Sequence, residues 1–169
     1  MKKQMNYWIM STIVVMLICF TACKSEEDPQ PQEMKRTYTM TSVSDPAING
    51  EVTFLKLDEN STRITIELVG TNEGDTHPAH IHANSASEGG GIIIGLNSVD
   101  GTTGMSETTV MELNDGTAIT YEGLLTFDGH ANVHLSSSEM STLIAQGDIG
   151  SNATGNNGGN GGNGGNGGY

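Results

Sequence analysis

The stretch "TRITIELV", Thr62 to Val69, decides the fold class. Ile64, Ile66 and Leu68 fall on one side of an extended chain while Thr65 and Glu67 fall on the other, the period of two that suits a strand with one dry face and one wet face. The same pattern continues to both sides of it. "RTYTMTSV" and "GEVTFLKL" come before; "AHIHAN", "GIIIGL", "ETTVMEL", "ANVHLS" and "AQGDIG" come after. Turn-rich pieces part them: "DPAING", "DENST", "NEGDT", "SVDGTTG" and "LNDGT". Short strands at regular spacing with glycine and aspartate turns predict an all-β domain, a single antiparallel Greek-key β-sandwich or barrel. Helix is expected only at "YEGLLTF", interrupted by Gly123, and at "SSEMSTLI", where a serine caps a brief run.

The ends of the chain read differently. Lys2 and Lys3, the apolar run from Tyr7 to Phe20, and the small residues Thr21 and Ala22 before Cys23 have the layout of a secretory signal over residues 1–22. "FTAC" resembles the bacterial lipobox, which implies that the Cys23 thiol is lipidated and its amine becomes the new N-terminus. Cys19 leaves with the signal, so no disulfide is expected. Residues 23–35 begin "CKSEEDPQPQE", a charged, proline-containing tether that cannot bury enough apolar surface to fold. The acidic run also resembles the signal behind the acylated cysteine of surface-exposed Bacteroidetes lipoproteins. That implies a lipid-anchored protein of the outer membrane, exposed at the cell surface. Residues 154–169, including "GNNGGNGGNGGNGGY", form a flexible Gly/Asn-rich tail. The folded domain is expected over residues 36–153.

Charge narrows the partners. The whole chain carries a net −13, and loss of Lys2 and Lys3 takes this to about −15. Such a chain repels phosphate backbones, so nucleic acid is excluded as a partner. Metal cations and cationic partners are compatible with it.

Three of the five histidines, His77, His80 and His82, lie within six residues. In "PAHIHA" burial of Ile81 turns His80 and His82 to the opposite face. In "HANVHLS" Val133 and Leu135 point one way, and His130, Asn132 and His134 the other. Residues two apart on a strand are roughly 6.5 to 7 Å apart at about 3.2 to 3.4 Å per residue, so two imidazoles can converge on one ion if a neighbouring strand adds a third. Neutral imidazole suits copper or zinc. His80, His82 and His134 are the candidate ligands, with His77 and His130 as candidates for a fourth position. Each ring needs its second nitrogen fixed by a carbonyl or carboxylate.

No catalytic constellation competes. Ser136 to Ser138 stand near His134 without a G-x-S-x-G elbow, the acidic turns lack the D-x-D spacing of a calcium loop, and "GGGIIIG" opens no helix and so is no dinucleotide fingerprint. Its glycines suit a bulge or a tight approach to the apolar strand.

"AHIHANSASEGGGIIIGLNSVDGTTG" and "GHANVHLS" resemble the middle and the later N-V-H strand of the CHRD domain, a family frequent in bacterial secreted proteins, and the likeness spans most of residues 37–150. CHRD domains are in turn similar to Cu/Zn superoxide dismutases, Greek-key barrels in which an H-x-H pair and a later strand histidine bind copper. The resemblance implies that His80, His82 and His134 occupy copper-ligand positions. The chain departs from the dismutase pattern in lacking histidines between His82 and His130 for a zinc subsite, the intrachain disulfide, and any arginine after Arg63 to steer superoxide. The expected function is therefore that of a lipid-anchored binding or interaction module with a copper or zinc site, meeting envelope or extracellular proteins or glycans. A degenerate copper-only dismutase-like enzyme is the alternative.

Overall fold

The computed structural model describes residues 33–153; the expected signal, Cys23, most of the expected tether and the expected tail lie outside the described residues. Eight strands and one short helix follow in order: β1 Lys35–Ser42, β2 Asn49–Lys56, β3 Thr62–Val69, β4 Thr76–Ala83, β5 Ile92–Asp100, β6 Met105–Val110, α1 Tyr121–Leu125, β7 Asp128–His134 and β8 Leu143–Gly150. Each expected strand is present. Every pairing is antiparallel, and the order β1-β2-β3-β6-β5-β4-β7-β8 closes on itself. The hairpins β4-β5-β6 have β3 beside β6 and β7 beside β4, which makes two overlapping Greek keys.

The closure is uneven. β1 meets β8 at Thr41↔Gln146 and Ser42↔Ala145, and β5 meets β6 at Asp100↔Met105. Along the second seam side chains replace the ladder: Asn97 Nδ2 donates to the Glu107 carbonyl at 2.6 Å, and Asn114 Oδ1 accepts from Gly95 N–H at 3.1 Å. The barrel is thus two four-stranded sheets, β1-β2-β3-β6 and β5-β4-β7-β8, joined along two narrow seams. This is how the sandwich and barrel descriptions of one sequence coincide.

Alternation fills the space between the sheets. Val52, Phe54, Ile64, Ile66, Ala79, Ile81, Ala131, Val133, Ile144 and Ile149 are buried there. Gly147 sits where β1 crosses close by, since a Cβ on it would lie 2.3 Å from the Thr39 carbonyl oxygen. The helix expected at "YEGLLTF" forms over Tyr121–Leu125, with Thr120 Oγ1 accepting from Gly123 N–H at 3.2 Å and Tyr121 and Leu124 turned into the core.

Two local expectations fail. "SSEMSTLI" is not helical: Glu139 N–H bonds to the Ser136 carbonyl and Thr142 N–H to that of Glu139, and Leu143 opens β8 instead. A run this short has too few turns to outweigh the β8 ladder on β7, where Val133 faces Ala145 and His134 faces Leu143. Leu135 does not join Val133 in the core but is 41% exposed, because β7 ends at His134.

Ile81 is fully buried on the inner face of β4, between the candidate histidines His80 and His82. Truncation Ile81→Ala is expected to cost about 2–5 kcal/mol, read as a lower urea midpoint with an unchanged slope. A loss under about 1 kcal/mol would mean that this stretch of core collapses around the gap.

Candidate metal centre

β4 and β7 lie side by side with Ile81 opposite Ala131, His82 opposite His130 and His80 opposite Asn132. Opposed residues of an antiparallel pair share a face. Ile81 and Ala131 go inward together, and the polar partners go outward together. His134 ends β7, and the neighbouring strands carry the irregularities: β8 has an extra residue between the partners of Val133 and His134, and β5 has one between the partners of Ile81 and His82. β4 and β7 themselves pair without a shift from Ala79↔Val133 to Ala83↔Gly129.

Three rings converge. The His80 centroid is 5.2 Å from that of His134 and 5.9 Å from that of His82, and His82 to His134 is 6.3 Å. One nitrogen from each of His80, His82 and His134 can be chosen so that all lie within 4.8 Å of one another, a group that could hold a metal ion. In a four-coordinate site with bonds of about 2.0–2.1 Å the donors stand roughly 3.3 Å apart. Gathering the three on one ion therefore needs ring movements of about an ångström, within the reach of side-chain rotation.

The nitrogens are free to bind. The Gly90 carbonyl accepts from His82 Nδ1–H at 2.9 Å, which leaves the His82 Nε2 lone pair available. That Nε2, His80 Nδ1 and both nitrogens of His134 are buried without hydrogen-bond partners. Enclosed polar atoms of this kind are costly and rare. One from each of the three adjoining rings makes a donor set that a copper or zinc ion could take.

Burial is also the main cause that lowers the pKa of His80, with His134 and then His82 adding repulsion between like charges. For His134 burial again comes first in lowering it. The Met140 backbone opposes this shift, although it stands outside hydrogen-bonding geometry with the ring. Both rings are thereby held in the neutral form that ligates metal.

His77 and His130 lie outside the converging group. His77, 1% exposed, donates from Nδ1–H to the Leu135 carbonyl at 2.8 Å. His130, 2% exposed, donates from Nδ1–H to the Asn84 carbonyl at 2.8 Å, accepts at Nε2 from Asn132 Nδ2 at 3.3 Å, and stacks on His82 with centroids 5.2 Å apart.

The loop between β4 and β5 completes the surroundings. It begins at Asn84 in the left-handed region, φ 63°, and Asp148 on β8 pins it by accepting from Ala86 N–H at 2.7 Å. Gly90 passes so close that a Cβ would lie 2.2 Å from the Ala83 carbonyl oxygen, as a tight approach to the apolar strand requires. Neither the Gly90 carbonyl nor Asn84 stands out in the sequence as part of a site. The glycine run after the H-x-H pair was the available signal for the first. An open cleft of about 440 Å³ lies beyond the loop, lined by Thr41, Ser87, Gln146 and Asp148 among others, and holds none of the histidines.

Comparison of the chain with protein-family models and with curated protein sequences returns no match.

Because burial lowers the folded-state pKa of His80 and His134 below the ordinary 6.5, the unfolded chain takes up protons first as pH falls. The stability tied to these neutral rings is complete above about pH 6.5 and is lost as pH drops through the lowered values. Asp58, Glu88, Asp115 and Glu122 are also lowered, but from 3.8 or 4.5, so their contribution fades in a more acidic window. The metal-free protein is expected to melt at lower temperature at about pH 5 than at about pH 7.5, with a smaller drop in His80→Asn. An equal drop in both proteins would take the effect away from this site.

Proposed function

We propose that this chain is a lipid-anchored, CHRD-like binding module of the cell envelope whose His80, His82 and His134 take a copper or zinc ion. The observation that carries this reading is the convergence of three histidine nitrogens within 4.8 Å, with unpaired nitrogens on all three rings. Imidazole nitrogens suit borderline metals better than the oxygen-seeking calcium or magnesium. When bound, such an ion would supply a Lewis-acidic centre or, if copper, a redox couple. The Gly90 carbonyl orients the His82 ring, and the unshifted pairing of β4 with β7 sets His80 and His82 beside the end of β7, where His134 stands.

Electrostatics favour a cation over an anionic substrate. The basic residues within the described chain, Lys35, Arg36, Lys56 and Arg63, all stand on β1, β2 and β3, and all five histidines stand on β4 and β7 of the other sheet. A site without a guanidinium or ammonium on its own sheet draws cations and repels superoxide. The dismutase-like alternative draws on one observation, the partial exposure of His80 and His82, which leaves an approach to the ion from solvent. Without a cation to concentrate the substrate, we favour binding over turnover. Attachment through Cys23 would hold the domain at the membrane, where proteins or glycans of the envelope or its surroundings are within reach.

Copper and zinc titrations of the full chain in detergent, beside His80→Ala/His82→Ala, test the centre. One ion per chain is expected, with affinity lost in the double variant at matched thermal stability. Failure of the folded parent to bind either ion removes the metal reading, and superoxide turnover by the copper form would move the protein to the enzyme class. Fractionation tests the anchor: Cys23→Ala is expected to leave the membrane fraction, and full retention there would refute lipidation at this residue.

A further inference from the structure

We propose that His77 and His130 are positioning residues for the three-histidine centre, each clamping a backbone carbonyl beside a cluster histidine, and that neither is a fourth ligand. This rests on the reading of His80, His82 and His134 as a metal site.

His130 carries the stronger case. The Asn84 carbonyl can only accept, so the proton of the His130 ring sits on Nδ1. Its Nε2 then holds the lone pair, and the Asn132 amide donates to it. Both nitrogens are committed to protein groups within a ring that is 2% exposed. The bond to Asn84 also reaches the centre. Asn84 is two residues beyond His82 and its side-chain Nδ2 donates to the Gly89 carbonyl at 3.0 Å. The next residue, Gly90, supplies the carbonyl that fixes the His82 tautomer. The circuit closes where the His130 ring lies nearly parallel to His82, at an interplanar angle of 22°. His130 thus holds His82 from the face of its ring and from the loop that receives its proton.

His77 does the same for the other strand. It grips the Leu135 carbonyl, one residue past His134, where β7 ends, while its Nε2 is buried without a hydrogen-bond partner. The two clamps span 58 and 46 positions of sequence, and each fixes the exit of a ligand-bearing strand. Such outer partners of a metal site commonly change affinity by about 10–100-fold when removed.

The test separates donor, ring and ligand. In His130→Asn the side-chain amide nitrogen takes the place of Nδ1 and can still donate to Asn84; His130→Phe keeps a flat ring against His82 without a donor. Copper(II) titration of the full chain is expected to show one ion throughout, affinity about 10–100-fold weaker in His130→Phe, and substantial recovery in His130→Asn. The number of nitrogens coupled to copper in the electron paramagnetic resonance spectrum stays constant. A coordinated nitrogen lost in His130→Asn would make His130 a ligand and overturn the proposal, as would parent-like affinity in His130→Phe. His77→Asn, set against His77→Leu, asks the same of the second clamp and is read by the same criteria.

Ring 15N spectra of the metal-free chain decide the matter independently of metal. They should show His130 protonated at Nδ1, and His82 ring signals that move in His130→Phe more than in His130→Asn. If the parent binds no copper or zinc, the metal reading fails on the titration while these spectra still judge the clamp. A His130 protonated at Nε2 in the parent would overturn it, and that result does not depend on either variant folding.

Discussion

The pairing of β4 with β7 sets His82 opposite His130 and His80 opposite Asn132, and with that register every other feature of the centre follows. Slipping it by one residue would turn Ile81 outward and drive two imidazoles into the core. Burial of Ile81, Ala79, Ala131 and Val133 on the inner side is what forbids the slip. The outer face therefore inherits its geometry from apolar packing it does not share in.

The centre itself works against local stability. Three imidazoles crowd together with four enclosed nitrogens left unpaired, and burial already opposes protonation of His80 and His134. A purely structural cluster would be expected to use those nitrogens, as His130 uses both of its own. His130 and the three converging rings thus differ in how their nitrogens are satisfied, while His77 stands between them, with Nδ1 bonded to the Leu135 carbonyl and Nε2 buried without a partner. The same sheet has no cation within it, so the surrounding field does not offset the attraction of a metal ion.

Much of this was legible in the chain of letters. Alternation in "TRITIELV" and "PAHIHA" placed Ile66 and Ile81 inside and His80 and His82 outside, because a period of two leaves no third choice for a strand with one buried face. Neighbourhood was less accessible: that β7 rather than another strand borders β4 is a property of the Greek-key crossover, which spacing does not encode. The carbonyls of Gly90, Asn84 and Leu135 escaped notice for a related reason, since a backbone acceptor has no letter of its own. "SSEMSTLI" misled because its local capping signal is weak against a ladder with residues far away in sequence, and Leu135 because alternation continues on paper beyond the point where the strand stops.

The narrow seams have a mechanical meaning. β1 is laddered to β2 from Lys35↔Leu55 to Met40↔Gly50. It meets the histidine-bearing sheet at two paired positions of β8, Thr41↔Gln146 and Ser42↔Ala145, and the second seam adds Asp100↔Met105. The sheet that holds the rings, β5-β4-β7-β8, shares three paired positions with the other sheet, so a distortion of β1 has few ladder bonds through which to reach β4 and β7.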